Sequence, residues 1–389
     1  MIMSWGDLDV RVYAARAWVA LAPRFAADHP VIVDKLEAIL ADPVPAVRFQ
    51  AAHNLQVLSV VASERMWALG ERIAAGETNM EVLASYLNRP MWLFCHSDPE
   101  RCEAVLAIVK GRIDGHHSSN RPERNPVLGS LGNWAAQLFA GQGRPLARNW
   151  LETWAHDPER YGELLDSFAA ALRAAFFHRY APNAEAAASE MCDRAQEGLA
   201  LILTAATEVS VEAYTALATE GAEVQKEMAA ERYRAAEMVI HHAVDQLYFG
   251  SGAYAENRGG GPGLVDPPAM ARFLVDYAGV LAVFARSREP ATLHRLVELY
   301  EFLIPGDPVM VFEAIYAMLL GRGKEEGYHY ESLGNTAVVR IVQRYIADYR
   351  VVFEDEGQRA RLVAILQLFS EVGWTDALKL LYDLPDLLR

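Results

Sequence analysis

Residues 40–55 read Leu40-Ala41-Asp42-Pro43-Val44-Pro45-Ala46-Val47-Arg48-Phe49-Gln50-Ala51-Ala52-His53-Asn54-Leu55. An aspartate followed by proline opens the stretch. Aspartate at an N-cap accepts hydrogen bonds from the free amides of the first helical turn, and proline at the next position loses no intrahelical bond. Behind this start, Val47, Ala51 and Leu55 recur at four-residue spacing, the mark of one helix face. Upstream, Val10-Arg11-Val12-Tyr13-Ala14-Ala15 shares the pattern Val-Arg-x-x-Ala-Ala with Val47–Ala52, at an offset of 37 residues. Self-similarity at a period of roughly 20–50 residues is the signature of stacked supersecondary units.

Over residues 5–58 this pattern resembles the HEAT repeat, an armadillo-type helical hairpin. In that family an aspartate in the turn and an arginine on the following helix form a ladder along the stack. The resemblance places that ladder on Asp42 and Arg48, with Asp7 or Asp9 and Arg11 as a looser first copy. The physics points the same way. Paired alanines let helices approach closely, and a lone hairpin leaves an apolar face that only another hairpin can cover.

The rest of the chain reads as helical too. Alanine occurs 62 times, and Ala, Leu, Glu and Arg all lose little side-chain freedom in a helix. Val338, Ile341, Val342 and Tyr345, and likewise Leu362, Ile365, Leu366 and Phe369, fall at helical spacing, whereas alternating strand-like runs are missing. Five Asp-Pro pairs, at Asp42, Asp98, Asp157, Asp266 and Asp307, predict many short helices with tight connections. Polar residues 114–122 and the glycine-rich stretch from Gly250 to Gly263 interrupt the pattern. The predicted fold is an all-α solenoid of HEAT-like hairpins, irregular in the middle. Its parts are 1–113 (repeats), 126–250 (helical without clear repeat) and 266–389 (C-terminal hairpins), where residues 307–315 echo the repeat without its arginine.

Composition narrows the function. Fifty-two per cent hydrophobic residues exclude a disordered chain, and a net charge of −15 disfavours phosphate-backbone binding by the whole molecule. Three cysteines, Cys95, Cys102 and Cys192, are too few for a disulfide scaffold and fit a reducing compartment. The first residues lack the pattern of a signal peptide, and Leu199–Thr207, nine residues, is among the longest uncharged apolar runs. The expectation is a cytoplasmic protein without a membrane segment. No phosphate-cradling loop, nucleophile elbow or zinc spacing occurs, so no catalytic residue, cofactor or metal is assigned. Glu237, His241 and Asp245, at four-residue intervals with His242 adjacent, would share one helix face; that face reads either as a cation site or as a solvated surface.

Charge is uneven. From Lys110 to Arg148 six basic residues face two acidic ones, while residues 183–256 hold thirteen acidic and four basic. Arg121, Arg124, Arg144 and Arg148, interleaved with Trp134, Trp150 and Trp154, form the expected contact surface for an anionic partner, and Tyr254 and Arg258 are the contact residues expected in the glycine-rich loop. Val10, Val12, Tyr13, Trp18, Val19 and Leu21 span more than one face of the first helix, which calls for a covering partner. The leading expectation is a non-enzymatic scaffold presenting a surface to a protein partner or a second copy. The alternatives are the helical sensor or scaffold part of a larger bacterial nucleotide-driven, defence-type assembly, and nucleic-acid binding through the basic region 110–154. If residues 5–58 stack as hairpins, Ala51→Glu buries an unpartnered charge, and its melting midpoint by circular dichroism falls far below that of the parent.

Overall fold

A computed structural model describes residues 9–115, 125–181, 186–219, 222–255 and 263–388. Every regular element among them is helical, and no strand occurs among the described residues. The chain divides into two compact units, Met1–Leu138 and Phe139–Arg389.

The first unit contains α1 (Val10–Phe25), α2 (Val31–Leu40), α3 (Pro45–Ala52), α4 (Ser63–Gly76), α5 (Met80–Asn88), α6 (Pro99–Gly115) and α7 (Pro126–Ala136). Short polar side chains start several of them. Asp9 Oδ1 accepts from the Arg11 amide at 2.8 Å, Asn79 from Val82 at 3.1 Å, and Asn125 from Val127 at 3.1 Å. Packing skips along the chain: α1 packs on α3, α3 on α5, α5 on α7, and α4 on α6. Alanine makes the close approaches, with Ala15, Ala51 and Ala52 all buried, and Val12, Ala15 and Val47 form one core cluster between α1 and α3.

The second unit begins with α8 (Pro145–Ala155) and α9 (Pro158–Leu172), followed by α10 (Ala186–Ala218) and α11 (Glu223–Ser251). These last two run 33 and 29 residues, far longer than the short helices that the Asp-Pro pairs predict, and they lie in the part of the chain where no repeat is read. Neither contains a proline, and their alanine-rich sequence gives the backbone no reason to stop. They form an antiparallel pair: Tyr214 meets Tyr233 near the connection and Ser210 meets Glu237 one turn further away. Within α10, Ser189–Ala218 is long and apolar enough by length and composition to cross a membrane, and its Leu199, Ile202, Leu203 and Val209 are buried in the unit.

Shorter helices complete the unit: α12 (Pro267–Asp276), α13 (Ala278–Phe284), α14 (Pro290–Leu303), α15 (Pro308–Met318), α16 (Ser332–Asp348), α17 (Glu356–Glu371) and α18 (Thr375–Leu387). Skipped neighbours again pack together, α14 with α16, α15 with α17, and α16 with α18. Asp266 and Asp307 cap α12 and α15 as their Asp-Pro pairs imply, accepting from the Ala269 and Met310 amides at 2.8 and 2.9 Å. Asp42 does not: α3 starts at Pro45, and Asp42 Oδ1 instead accepts from Val44 in the turn before it.

The interruption expected from Gly250 begins later than its composition implies. Helix α11 continues through Ser251, and Gly250 lies against the Phe177 ring, where a Cβ would overlap it. Gly252 then ends the helix at φ +98°, a conformation that suits a residue without Cβ. Residues 256–262, including Arg258, lie outside the described residues.

A buried polar seam ties α10, α11 and the α13–α14 connection together. Glu237 is 3% exposed and accepts from Ser210 Oγ at 2.6 Å and Ser287 Oγ at 2.7 Å. Burial pushes its carboxyl pKa up, and the two serine bonds offset part of that shift. A carboxyl whose pKa is higher folded than unfolded favours the fold when protonated, and that contribution is lost as pH rises through the folded value. Glu237→Gln should therefore gain on the parent in thermal midpoint as pH climbs from about 4 towards 8; a pH-independent difference would remove Glu237 as the titrating group.

Candidate functional site

The two Val-Arg repeats place their arginines at successive turns of the first unit. Arg11 Nη1 lies 3.5 Å from both carboxylate oxygens of Asp42. Arg48 Nη1 donates to the backbone oxygens of Asp42 at 2.9 Å and Pro43 at 3.2 Å. Its Nε and Nη2 grip Glu77 in a paired bridge at 2.8 and 2.6 Å. Glu77 Oε1 also accepts from the Asn79 amide at 2.8 Å, and the Glu77 carbonyl accepts from Arg112 Nη2 at 2.7 Å. Arg11, Asp42 and Arg48, the three positions singled out in the sequence, are thus brought together.

Glu77 is the residue that sequence reasoning missed. Its signal was spacing: Arg48 to Glu77 is 29 residues, close to the 31 from Arg11 to Asp42. No Val-Arg motif flags it, because it closes α4 rather than opening a helix. The bridge is largely shielded from water, with side-chain exposures of 13% for Arg48 and 5% for Glu77. The hydrogen bond to Glu77 raises the Arg48 pKa above its ordinary value. A cleft of about 360 Å³ opens beside them, rimmed by Leu40, Asp42, Arg48, Arg72 and Glu77. Arg72 is bonded to Glu37 across the rim, so these charges are spent on one another. The arrangement aligns successive turns of the unit.

The basic stretch is divided. Arg121 and Arg124 lie outside the described residues. Trp134, 1% exposed, donates its indole N–H to the Leu87 carbonyl at 3.0 Å and stands edge-on to Trp92. In the second unit, Trp150 and Trp154 pack as a buried pair with ring centroids 5.9 Å apart. The stacking area expected of these three rings is therefore inside the cores, where burial of large aromatic surface stabilises each unit. Arg144 sits at the N-cap of α8. Arg148 pairs with Glu197 and Glu152 and covers the Phe139 ring, so its charge is already answered within the unit. Tyr254 is half-exposed beside Phe249 and Tyr248.

Glu237, His241 and Asp245 do share a face of α11: His241 Nε2 stands 3.9 Å from Asp245 Oδ2, both partly exposed, while Glu237 is buried. Glu237 turns to its serines, His241 Nδ1 meets Thr292 Oγ1 at 3.3 Å, and Asp245 accepts from Arg295 Nε at 2.7 Å. His242 turns elsewhere, with Nδ1 2.5 Å from Asp166, whose carboxylate raises its pKa. Among the described residues no three His, Cys, Asp or Glu side chains gather as metal ligands. Cys95, Cys102 and Cys192 are buried and enter no disulfide among the described residues, and burial pushes Cys102 up to about 12.

Among the described residues, one apolar helix face and one groove lie open to solvent. Val10, Tyr13, Leu21 and Phe25 lie exposed along α1, opposite its buried Val12, Ala15, Val19 and Ala22. In the second unit, a groove of about 430 Å³ opens between α13 and α15 over Tyr300 of α14. Against known proteins, the chain matches no family model, no curated protein and no solved structure.

The ladder is testable through its central bridge. Arg48→Met strands the buried Glu77 carboxylate and lowers unfolding free energy in urea by about 3 kcal/mol. Adding Glu77→Gln to that variant recovers part of the loss; if the double variant is as unstable as the sum of the two singles, the bridge is not the stabilising contact.

Proposed function

We propose that this chain is a non-enzymatic helical-repeat scaffold whose first unit is a short HEAT-like stack presenting α1 to a protein partner. Three observations support the stack. The repeat recurs at 37 residues, alternate helices of the unit pack on one another, and arginine–carboxylate bridges span 29 and 31 residues. Arg65 of α4 adds bridges to Asp34 and Glu37 of α2, and Arg101 of α6 adds one to Glu64 of α4. On this other row of helices the separations are 31, 28 and 37 residues, and the arginine follows its carboxylate in the chain.

The observation that carries the partner is the outer face of α1. At about 100° per residue, Val10, Tyr13, Ala14, Ala17, Leu21 and Phe25 fall within an arc of about 120°. The buried residues of the helix occupy the opposite side. A surface helix ordinarily carries one apolar stripe and a polar back; α1 carries two stripes, and Val10 is 79% exposed. Spacings of three, four and seven residues match the anchors of an amphipathic helix lying alongside. The partner is accordingly a helix of another protein, docked by apolar contact.

Tyr13→Ser, Leu21→Ser and Phe25→Ser together remove side chains that are 49%, 39% and 39% exposed, so the melting midpoint should fall modestly while the helical circular-dichroism spectrum is kept. Association of the chain, read by light scattering and by retention of a stoichiometric protein on the immobilised parent, should be lost in the triple variant. A variant that keeps every association of the parent would remove α1 as the interaction face.

A further inference from the structure

We propose that the groove between α13 and α15 binds an aliphatic monocarboxylate, its chain against the alanine walls and its carboxylate on Arg286. The groove exists because its walls are small. Ala278, Ala282 and Ala285 recur at helical spacing along α13 and its end, and Ala314 and Ala317 face them from α15. Larger side chains at these positions would close the gap, as they do elsewhere in the unit. The floor is apolar and buried, formed by Leu274, Leu281 and Met318 with the Tyr300 ring. A volume of about 430 Å³ lies within the range of small-molecule sites and is narrow for an entire helix. Burying a hydrocarbon chain against such walls is favourable and demands no hydrogen-bond partners.

Charge at the rim selects the headgroup. Arg322 is already engaged, donating to Glu325 at 2.8 Å and Glu326 at 3.2 Å. Arg286 is exposed and its Nε donates to the Ala282 carbonyl at 3.3 Å, while no carboxylate stands within ion-pair distance of it among the described residues. Its terminal nitrogens can therefore take a carboxylate as a paired, charge-assisted bond. Glu325, on the same rim, is paired with Arg322, which leaves Arg286 as the unanswered charge among the lining residues. The site thus favours one negative charge at the end of an apolar chain.

Dodecanoate, below its micelle concentration, should bind the full chain saturably with one site by isothermal titration calorimetry. Dodecyltrimethylammonium, with the same chain and the opposite charge, should bind far more weakly. Arg286→Gln alters an exposed side chain and should weaken dodecanoate about tenfold, the equivalent of one charge-assisted hydrogen bond, without improving the ammonium probe above the parent's dodecanoate. Ala314→Phe should fill the groove and abolish binding. A diazirine-bearing dodecanoate, photolysed on the parent chain, should label peptides spanning 274–285 or 310–318. No saturable binding, undiminished binding in Arg286→Gln, equal affinity for the ammonium probe, or labelling confined to other peptides would each overturn the proposal; the labelling result stands even if Ala314→Phe does not fold.

Discussion

An amphipathic helix with an apolar arc wider than one neighbour can cover must find a second neighbour, and this demand organises both units. In the first, α3 buries Val47 against α1 and packs on α5 as well. In the second, α16 lies between α14 and α18 in the same way. Alanine permits it: Ala15, Ala51 and Ala52 in one unit, and Ala206 and Ala243 in the other, are buried at the approaches. Small side chains shorten the distance between axes and leave less volume for larger residues to fill. Where alanines face one another across a wider gap, between α13 and α15, the same economy leaves a groove.

Apolar packing of alanine-rich helices is permissive about register, because one small residue resembles another. Directional contacts supply what it lacks. The Arg48–Glu77 bridge joins α3 to the end of α4 with two parallel bonds, a geometry that tolerates no sliding by a turn. Glu237 acts similarly among α10, α11 and Ser287, and Asp245 with Arg295 continues the seam between α11 and α14. Such groups are costly to bury, and satisfied networks of this kind set one arrangement above its close competitors.

Much of the candidate architecture was legible at single residues. Asp307-Pro308 announced the start of α15 and Asp266-Pro267 that of α12, because an N-cap is a local event decided within four residues. Arg11, Asp42 and Arg48 were legible through the repeat. Glu77 was not, since its role depends on a helix end 29 residues from its arginine. The tryptophans mislead for a related reason. Trp134 lies in a locally basic stretch, yet its indole is held by the Leu87 carbonyl inside the core, and sequence charge says nothing of which way a ring faces.

By itself, then, the sequence determined that the chain is helical, where several helices begin, and that the first helix has two apolar faces. These follow from backbone propensity, capping and three-to-four-residue spacing, all of which act within a turn or two of chain. Only the tertiary structure decided that α10 and α11 run as one long pair, that Glu237 is buried while Tyr13 is exposed, and that the alanines of α13 and α15 confront each other across open space. Those outcomes depend on contacts between residues far apart in the chain, where loop closure, side-chain volume and desolvation compete, and no local pattern carries their balance.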